Sequence, residues 1–314
     1  LPAAVKLMVI NRGVKVDGAS LARSFEGYPG AYRTKRTKAR HTLKGGDFLD
    51  AERGELPWVP TEVQVSLDVH DSVIKVNYRE DSPFALLVRD GELRLVAESY
   101  GLDFAAELVR RPEATLVEVD GFPAEQWVQV LGRDRVGIMV YMGCANWFHG
   151  DQCKFCDSIT VRPGERRALP ILNHLRRRFC LPGGGYDHAA WWSDVGPALK
   201  AGVARALGLI LADPDVGPHV HLHVMAGNLM DVDAEWDFVL ELCEEVTRVV
   251  RLQDLDAYLN LLPPPDPAKL ERARELGFGK LIFNLEAHGE EAFAKVCPGK
   301  HKLMPYPRYL RRME

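Results

Sequence analysis

From Arg135 onward, the sequence alternates between short apolar runs and amphipathic helical segments. Residues 136–142 form a continuous apolar run of strand length, and residues 219–224, 257–262 and 280–285 have the pattern of three further strands. Apolar residues at helical spacing lie between them, over residues 236–246 and 270–276. Repeated strand–helix units form parallel sheets that are buried on both faces. The pattern therefore predicts an α/β fold over residues 133–314, with an open parallel sheet or a (β/α) barrel.

Residues 1–132 have a different pattern and are predicted to form a small β-rich domain. Apolar and polar residues alternate between Glu62 and Val96, which is typical of half-buried strands. The pair Asp90-Gly91 separates two such strands and predicts a two-residue hairpin turn. Short helices over residues 102–110 and 124–131 are expected to close this domain.

The first forty-odd residues are polar with interspersed glycines and are expected to form a solvated arm. A basic run lies within them, at Arg33, Lys35, Arg36, Lys38, Arg40 and His41. Charge runs of this kind usually face water, and the alternative is an arm that binds an anionic partner. The chain as a whole carries a formal net charge of −4, which argues against a protein that binds nucleic acid through overall basicity.

The composition is that of a globular protein, with 46% hydrophobic and 27% charged residues. No run approaches the roughly 18 apolar residues that a membrane-spanning helix needs, so no membrane partner is expected. The sequence opens without a basic and then apolar leader, which predicts a cytoplasmic and reducing location.

Three of the six cysteines, Cys144, Cys153 and Cys156, fall within thirteen residues directly after the first apolar strand. Clustered thiols in a reducing compartment are typical of metal ligands rather than disulfides. Barrel folds keep their active sites in the loops that follow the carboxyl ends of strands. The remaining cysteines are scattered and are interpreted as structural: Cys180, Cys243 and Cys297.

Three thiols without an obvious fourth ligand predict a cluster with an open coordination position. A structural zinc site is normally closed by four ligands, and His149 or Asp151 would have to complete it here. Three unrelated buried thiols are a further alternative. Neither alternative explains why the cysteines follow a strand end.

The segment Cys144-x8-Cys153-Lys154-Phe155-Cys156 resembles the cluster loop of radical SAM enzymes, in which an aromatic residue precedes the last cysteine. The resemblance covers residues 135–300. It implies that the three cysteines bind a 4Fe–4S cluster and that S-adenosylmethionine (SAM) binds the unligated iron. It also implies a partial barrel of the radical SAM type, incomplete at the carboxyl terminus because only four of six strand–helix units can be assigned.

The resemblance also implies a set of cofactor-binding residues at later strand ends. Gly227 and Asn228 occupy the place of the family's glycine-rich segment, which receives the SAM ammonium group. Glu286 follows the fourth strand, where polar residues bind the ribose or methionine part of SAM. Asn260 is a polar amide inside an apolar strand, so it is either a satisfied core amide or a ligand facing a cavity. Phe155 is the aromatic residue of the cluster loop.

His219, His221 and His223 alternate along the second strand, a spacing that metal sites also use. No carboxylate partner is evident in the sequence, so the preferred interpretation is polar lining or a solvated strand end.

The predicted function is reductive cleavage of SAM to a 5′-deoxyadenosyl radical, which abstracts hydrogen from a small-molecule substrate. The enzyme would require a one-electron donor such as flavodoxin or ferredoxin. Two alternatives remain open: a radical SAM enzyme that modifies RNA, and a non-catalytic zinc-knot protein that binds an anionic partner.

Overall fold

The computed structural model describes residues 2–16, 62–67, 70–76, 79–109, 112–131, 134–140, 144, 146, 150–154, 187–216, 219–229 and 231–313. The chain divides into two compact units, residues 1–111 and residues 112–314. The sequence predicts a later boundary, at residue 132.

The described part of the first unit is a mainly antiparallel sheet with one helix. Its strands lie in the order β1-β4-β5-β6-β2-β3, and β1 alone pairs in parallel, with β4. The elements are α1 (Pro2–Arg12), β1 (Lys15–Val16), β2 (Glu62–Leu67), β3 (His70–Lys75), β4 (Ala85–Arg89), β5 (Glu92–Ala97) and β6 (Leu102–Leu108). The predicted hairpin is confirmed: Asp90 and Gly91 join β4 to β5, with φ angles of 53° and 82°.

The predicted helix over residues 102–110 is wrong, because the segment forms strand β6. Its burial alternates with a period of two, with Ala106 and Leu108 buried and Ala105 and Glu107 exposed. A helix would have brought residues three and four apart to one face. Pairing with β5 and β2 completes the strand's hydrogen bonds, and these partners are not local in sequence.

The prediction of a solvated arm is also wrong for the start of the chain. Residues 2–12 form helix α1, and its Val5 and Val9 are buried in the core of the first unit. The two valines are four residues apart and lie on one helix face. The basic run at residues 33–41 lies outside the described residues.

The second unit is built on a five-stranded sheet in the order β13-β12-β11-β10-β9 within the described residues. Strands β10 to β13 are parallel, and β9 pairs antiparallel to β10. The bounds are β9 (Gln129–Leu131), β10 (Arg135–Met139), β11 (His221–Met225), β12 (Asp256–Asn260) and β13 (Lys280–Ile282). A separate hairpin joins β7 (Glu118–Val119) to β8 (Phe122–Pro123). The four apolar runs thus predict the four parallel strands.

Helices follow the parallel strands, as the sequence pattern predicts. The described helices of this unit are α2 (Ala124–Trp127), α3 (His188–Leu211), α4 (Val232–Val246), α5 (Ala268–Glu275), α6 (Glu290–Val296), α7 (Pro298–Leu303) and α8 (Tyr306–Arg311). Single 3₁₀ turns lie at Glu113–Leu116 and Leu252–Asp254 in this unit and at Glu98–Tyr100 in the first unit. The predicted helices over residues 236–246 and 270–276 correspond to α4 and α5.

Residues 112–131 belong with the second unit because Trp127 packs into it. The indole is 4% exposed and lies against Gly202 of α3, and its Nε1 donates to the Val119 carbonyl at 3.0 Å. The helix predicted over residues 124–131 therefore ends at Trp127, and its second half forms the edge strand β9.

The chain is mixed α/β with a curled, half-barrel sheet, which confirms the α/β part of the predicted fold class. Among the described residues, no helix is both long and apolar enough to span a bilayer.

Candidate functional site

The carboxyl ends of β10 to β13 lie at one edge of the sheet, because the four strands are parallel. Cys144 follows β10, Gly227 and Asn228 follow β11, and Glu286 follows β13, while Asn260 is the last residue of β12. The candidate site residues from four distant parts of the sequence therefore share this edge. Ligands of parallel α/β sheets bind at the same edge.

Cys144 is partly buried and is not in a disulfide. The backbone N–H of Asn228 donates to the Cys144 Sγ atom at 3.3 Å. Burial raises the pKa of the Cys144 thiol, and the backbone hydrogen bonds from Asn228 and Asn146 oppose that rise. The negative charge of Glu235 and the thiol of Cys153 raise this pKa further, so both groups lie within electrostatic range of Cys144.

Cys153 is buried, with 9% of its surface exposed, and it is not in a disulfide. The next residue, Lys154, donates its backbone N–H to the Val296 carbonyl at 2.9 Å. Two of the three predicted cluster ligands therefore lie in the same loop after β10. The third, Cys156, lies outside the described residues, as does Phe155.

The loop that carries the cysteines is fastened to the segment after α6. The Gly299 N–H donates to the Asp151 carbonyl at 2.9 Å, and Lys302 Nζ lies 2.6 Å from Asp151 Oδ2. A Cβ atom at Gly299 would lie 2.3 Å from Asn146 Cγ, so only glycine fits there without movement of Asn146. The Cys297-Pro298-Gly299 segment thus acts as a support for the cysteine loop, and Cys297 itself is fully buried.

A buried polar network connects Cys144 to the start of α4. Asn228 Oδ1 accepts from Asn146 Nδ2, and Asn228 Nδ2 donates to Glu235 Oε1, both at 3.5 Å. Glu235 is fully buried and its other oxygen accepts from the Leu229 N–H at 2.9 Å. Sequence reasoning missed Asn146 and Glu235. Glu235 follows Ala234 and precedes Trp236 near the helix start, where an acidic residue usually signals only a favourable helix dipole interaction.

Asn260 and Asn284 form a pair across β12 and the end of β13. Asn284 Nδ2 donates to Asn260 Oδ1 at 3.2 Å, and the Asn284 carbonyl accepts from Tyr309 Oη at 3.0 Å. Asn260 is partly exposed rather than buried in the core. Its amide therefore has a protein partner and also faces open space at the carboxyl edge.

Glu286 lies in an unusual backbone conformation, with a φ angle of 67°. The Ala287 N–H donates to the Leu285 carbonyl at 2.7 Å, which makes Glu286 the centre of a tight γ-turn. Its carboxylate pairs with Lys300 Nζ at 3.0 Å, and the two side chains are 23% and 14% exposed. Strained backbone of this kind persists where the surroundings hold it in place, and it is frequent at functional sites. Glu286 is thus a fixed carboxylate rather than a freely moving loop residue.

The three alternating histidines have separate surroundings. His219 is exposed, whereas the Nδ1 atom of His221 lies 2.7 Å from Asp256 Oδ2. Asp256 is thus the carboxylate partner that the sequence did not reveal, because the register of β11 with β12 places it directly opposite His221.

His223 is buried and uncharged. Its ring stacks on Tyr258 with centroids 4.5 Å apart, and the Arg135 guanidinium donates to its Nδ1 atom at 3.0 Å. Burial, together with the charge of Arg135, lowers the pKa of His223 to about 4. The folded ring therefore stays neutral at pH values at which the unfolded ring is protonated.

We expect the free energy of unfolding to decrease as the pH is lowered from 6.5 to 4, because the unfolded His223 binds a proton in this range and the folded His223 does not. In this range the unfolded state binds a proton that the folded state does not, so stability rises with pH through the window. The contribution is about 3 kcal/mol, present in full above pH 6.5 and lost as the pH falls to 4. Urea unfolding at pH 4.5 and pH 7 measures it. His223→Phe should reduce the difference while His219→Gln retains it, and an unchanged difference in His223→Phe would contradict this origin.

Among the described residues, no group of three or more His, Cys, Asp or Glu side chains is arranged to hold a metal ion. This result does not include Cys156. The other described cysteines, Cys243 and Cys297, are buried, which agrees with a structural role, and Cys180 lies outside the described residues. No family model, curated protein or solved structure matches this chain.

Proposed function

We propose that this chain is a radical SAM enzyme whose cluster is bound by Cys144, Cys153 and Cys156. One observation carries the proposal: Cys144 follows the parallel strand β10, and its sulfur accepts the Asn228 N–H at 3.3 Å at the carboxyl edge of the sheet. A structural zinc site would need a fourth ligand. Of the two side chains that could supply it, Asp151 is paired with Lys302 Nζ and His149 lies outside the described residues.

The described thiols fit a 4Fe–4S cluster in their chemistry. Cluster potentials depend on burial and on hydrogen bonds to the ligating sulfurs, and Cys144 has both. When bound, the cluster and SAM together supply a 5′-deoxyadenosyl radical on one-electron reduction. The chain's own part is to hold the cysteine loop rigid, and the contacts of Asp151 with Gly299 and Lys302 support that role.

The polar residues at the carboxyl edge suit the binding of SAM. Gly227 permits close backbone approach, and the partly exposed Asn260 carries an amide able to accept from an amine or a hydroxyl. Asn228, assigned to the cofactor from the sequence, is buried between Asn146 and Glu235 and would support this segment from behind. The Glu286 carboxylate retains acceptor capacity beside Lys300. Phe155 is the aromatic residue assigned to the cofactor from the sequence. We propose that hydrogen abstraction occurs on a small-molecule substrate at this edge, with flavodoxin or ferredoxin as the electron donor.

Anaerobic reconstitution tests the proposal. We expect about four irons and four sulfides per chain, with broad absorption near 400 nm that bleaches on reduction. The matched controls are the single variants Cys153→Ala, which should lose most of the iron, and Cys297→Ala, which should keep it. Stoichiometric zinc without iron would instead favour the zinc-knot protein. Iron binding accompanied by turnover of an RNA and of no small molecule would favour the RNA-modifying enzyme.

A further inference from the structure

We infer that Glu235 is a positioning residue that holds the Asn228 amide against the Cys144 sulfur. The expected effect of Glu235 on the reduction potential rests on the proposed function, because it requires Cys144 to be a cluster ligand. The hydrogen bonds that carry it belong to the chain alone.

The surroundings of Glu235 are unusual for a carboxylate at a helix start. The side chain is fully buried, although a buried charge is costly unless hydrogen bonds compensate it. Helix α4 does not need Glu235 as a cap, because Asp231 already accepts from the Asp233 and Ala234 N–H groups at 2.9 and 3.2 Å. Glu235 instead reaches back to the loop between β11 and α4.

The carboxylate holds two consecutive loop residues at once. One oxygen accepts from the Leu229 N–H at 2.9 Å, and the other accepts from Asn228 Nδ2 at 3.5 Å. Asn146 Nδ2, from the cysteine loop, donates to the side-chain oxygen of Asn228, its Oδ1 atom, at 3.5 Å. With its side chain and the next amide fixed, Asn228 has little freedom to turn its own N–H away from Cys144 Sγ, which lies 3.3 Å away.

The arrangement has an electrostatic consequence as well as a geometric one. When ionised, the buried Glu235 carboxylate raises the pKa of the Cys144 thiol, to which Asn228 links it by hydrogen bonds. A reduced cluster carries one more negative charge than an oxidised cluster, so a nearby buried carboxylate opposes reduction, whereas the Asn228 N–H favours it. Glu235 therefore affects the sulfur in two ways, through the Asn228 N–H that it positions and through its own charge, without contacting the sulfur.

Two variants separate these effects. Glu235→Gln removes the charge and keeps one of the two oxygen acceptors, which can still accept from the Leu229 N–H. Reduction of the reconstituted cluster should then become about tenfold more favourable, a shift of ~59 mV towards positive potential for a one-electron couple. Glu235→Ala removes the acceptors, so hydrogen exchange of the Asn228 and Leu229 amides in metal-free protein should become about tenfold faster. The matched control is Glu244→Gln on the same helix, whose carboxylate pairs with Arg272 at the surface and should change neither quantity.

An unchanged potential in Glu235→Gln, or unchanged exchange of peptides that contain Asn228 and Leu229 in Glu235→Ala, would overturn the inference. If Glu235→Ala fails to fold, exchange in Glu235→Gln decides, because its weaker neutral acceptor should still give a measurable increase over Glu244→Gln. A wild-type chain that binds no iron contradicts the proposed function alone. The exchange experiment uses metal-free protein, so in that case it still decides whether Glu235 positions Asn228.

Discussion

Cys144→Ala is expected to abolish the formation of 5′-deoxyadenosine from SAM in the presence of a strong one-electron reductant. Alanine removes a cluster ligand, so the rate of 5′-deoxyadenosine formation should fall by more than about 100-fold. This loss exceeds the one expected when a residue that only hydrogen-bonds to a ligand is replaced. The wild-type chain should form this product slowly without its substrate. Anaerobic incubation with SAM and dithionite, followed by chromatography of the nucleosides, measures the rate.

Cys243→Ala is the matched control for this prediction. Cys243 is 1% exposed on α4, and burial raises the pKa of its thiol far above the ordinary value, so it is neither a ready ligand nor a nucleophile. Its variant should keep both iron and product formation. A folded Cys144→Ala protein with the parent rate would show that the cluster assignment is incorrect. Equal losses in the Cys144 and Cys243 variants would point to damage of the fold instead.

The strands that are buried on both faces could be predicted from the sequence, because their apolar runs are local. Residues 136–142, for example, predict β10, and the Asp90-Gly91 pair predicts its hairpin. Strand β6 could not be assigned in the same way. Its residues have side chains that suit a helix, and only pairing with β5 and β2 stabilises the extended form.

Helix α3 was missed altogether, although it is the longest helix among the described residues. Its N-cap Asp187 accepts from the Ala190 N–H, which is a recognisable start signal. The interior Pro197, together with Gly196 and Gly202, masks the helical pattern, since proline and glycine usually end helices. Tertiary packing against α2 and α4 outweighs these local preferences.

The candidate site likewise contains residues that the local sequence predicts and residues that only the folded structure brings together. Cys144 and Cys153 can be recognised because they are close in sequence. Asn228 and Glu286 can be predicted because they follow the predicted strands β11 and β13. The supporting contacts join residues far apart in sequence: Asn146 with Asn228, and Asp151 with Lys302. No periodicity encodes such pairs, so they emerge only when the sheet brings its carboxyl ends together.

Gly202→Ala is expected to destabilise the second unit, whereas Gly208→Ala on the same helix should stabilise it. A Cβ atom at Gly202 would lie 2.4 Å from Trp127 Cζ3, while nothing lies within 4 Å of one at Gly208. Alanine gains about 0.5–1 kcal/mol over glycine in a helix interior, so Gly208→Ala should gain that amount. Gly202→Ala must also bear an overpacking cost of about 1–3 kcal/mol.

The cost at Gly202 is hard to relieve because Trp127 is held from two other sides. Its Nε1 donates to the Val119 carbonyl at 3.0 Å, and its ring meets Phe122 edge-on with centroids 6.1 Å apart. Urea unfolding of the two variants should therefore differ by about 1–3 kcal/mol, and a Gly202→Ala protein as stable as Gly208→Ala would contradict the packing. Trp127 also precedes β9, which pairs with β10, the strand that leads to Cys144. A glycine on α3 thus helps to fix the strand from which the cysteine loop begins.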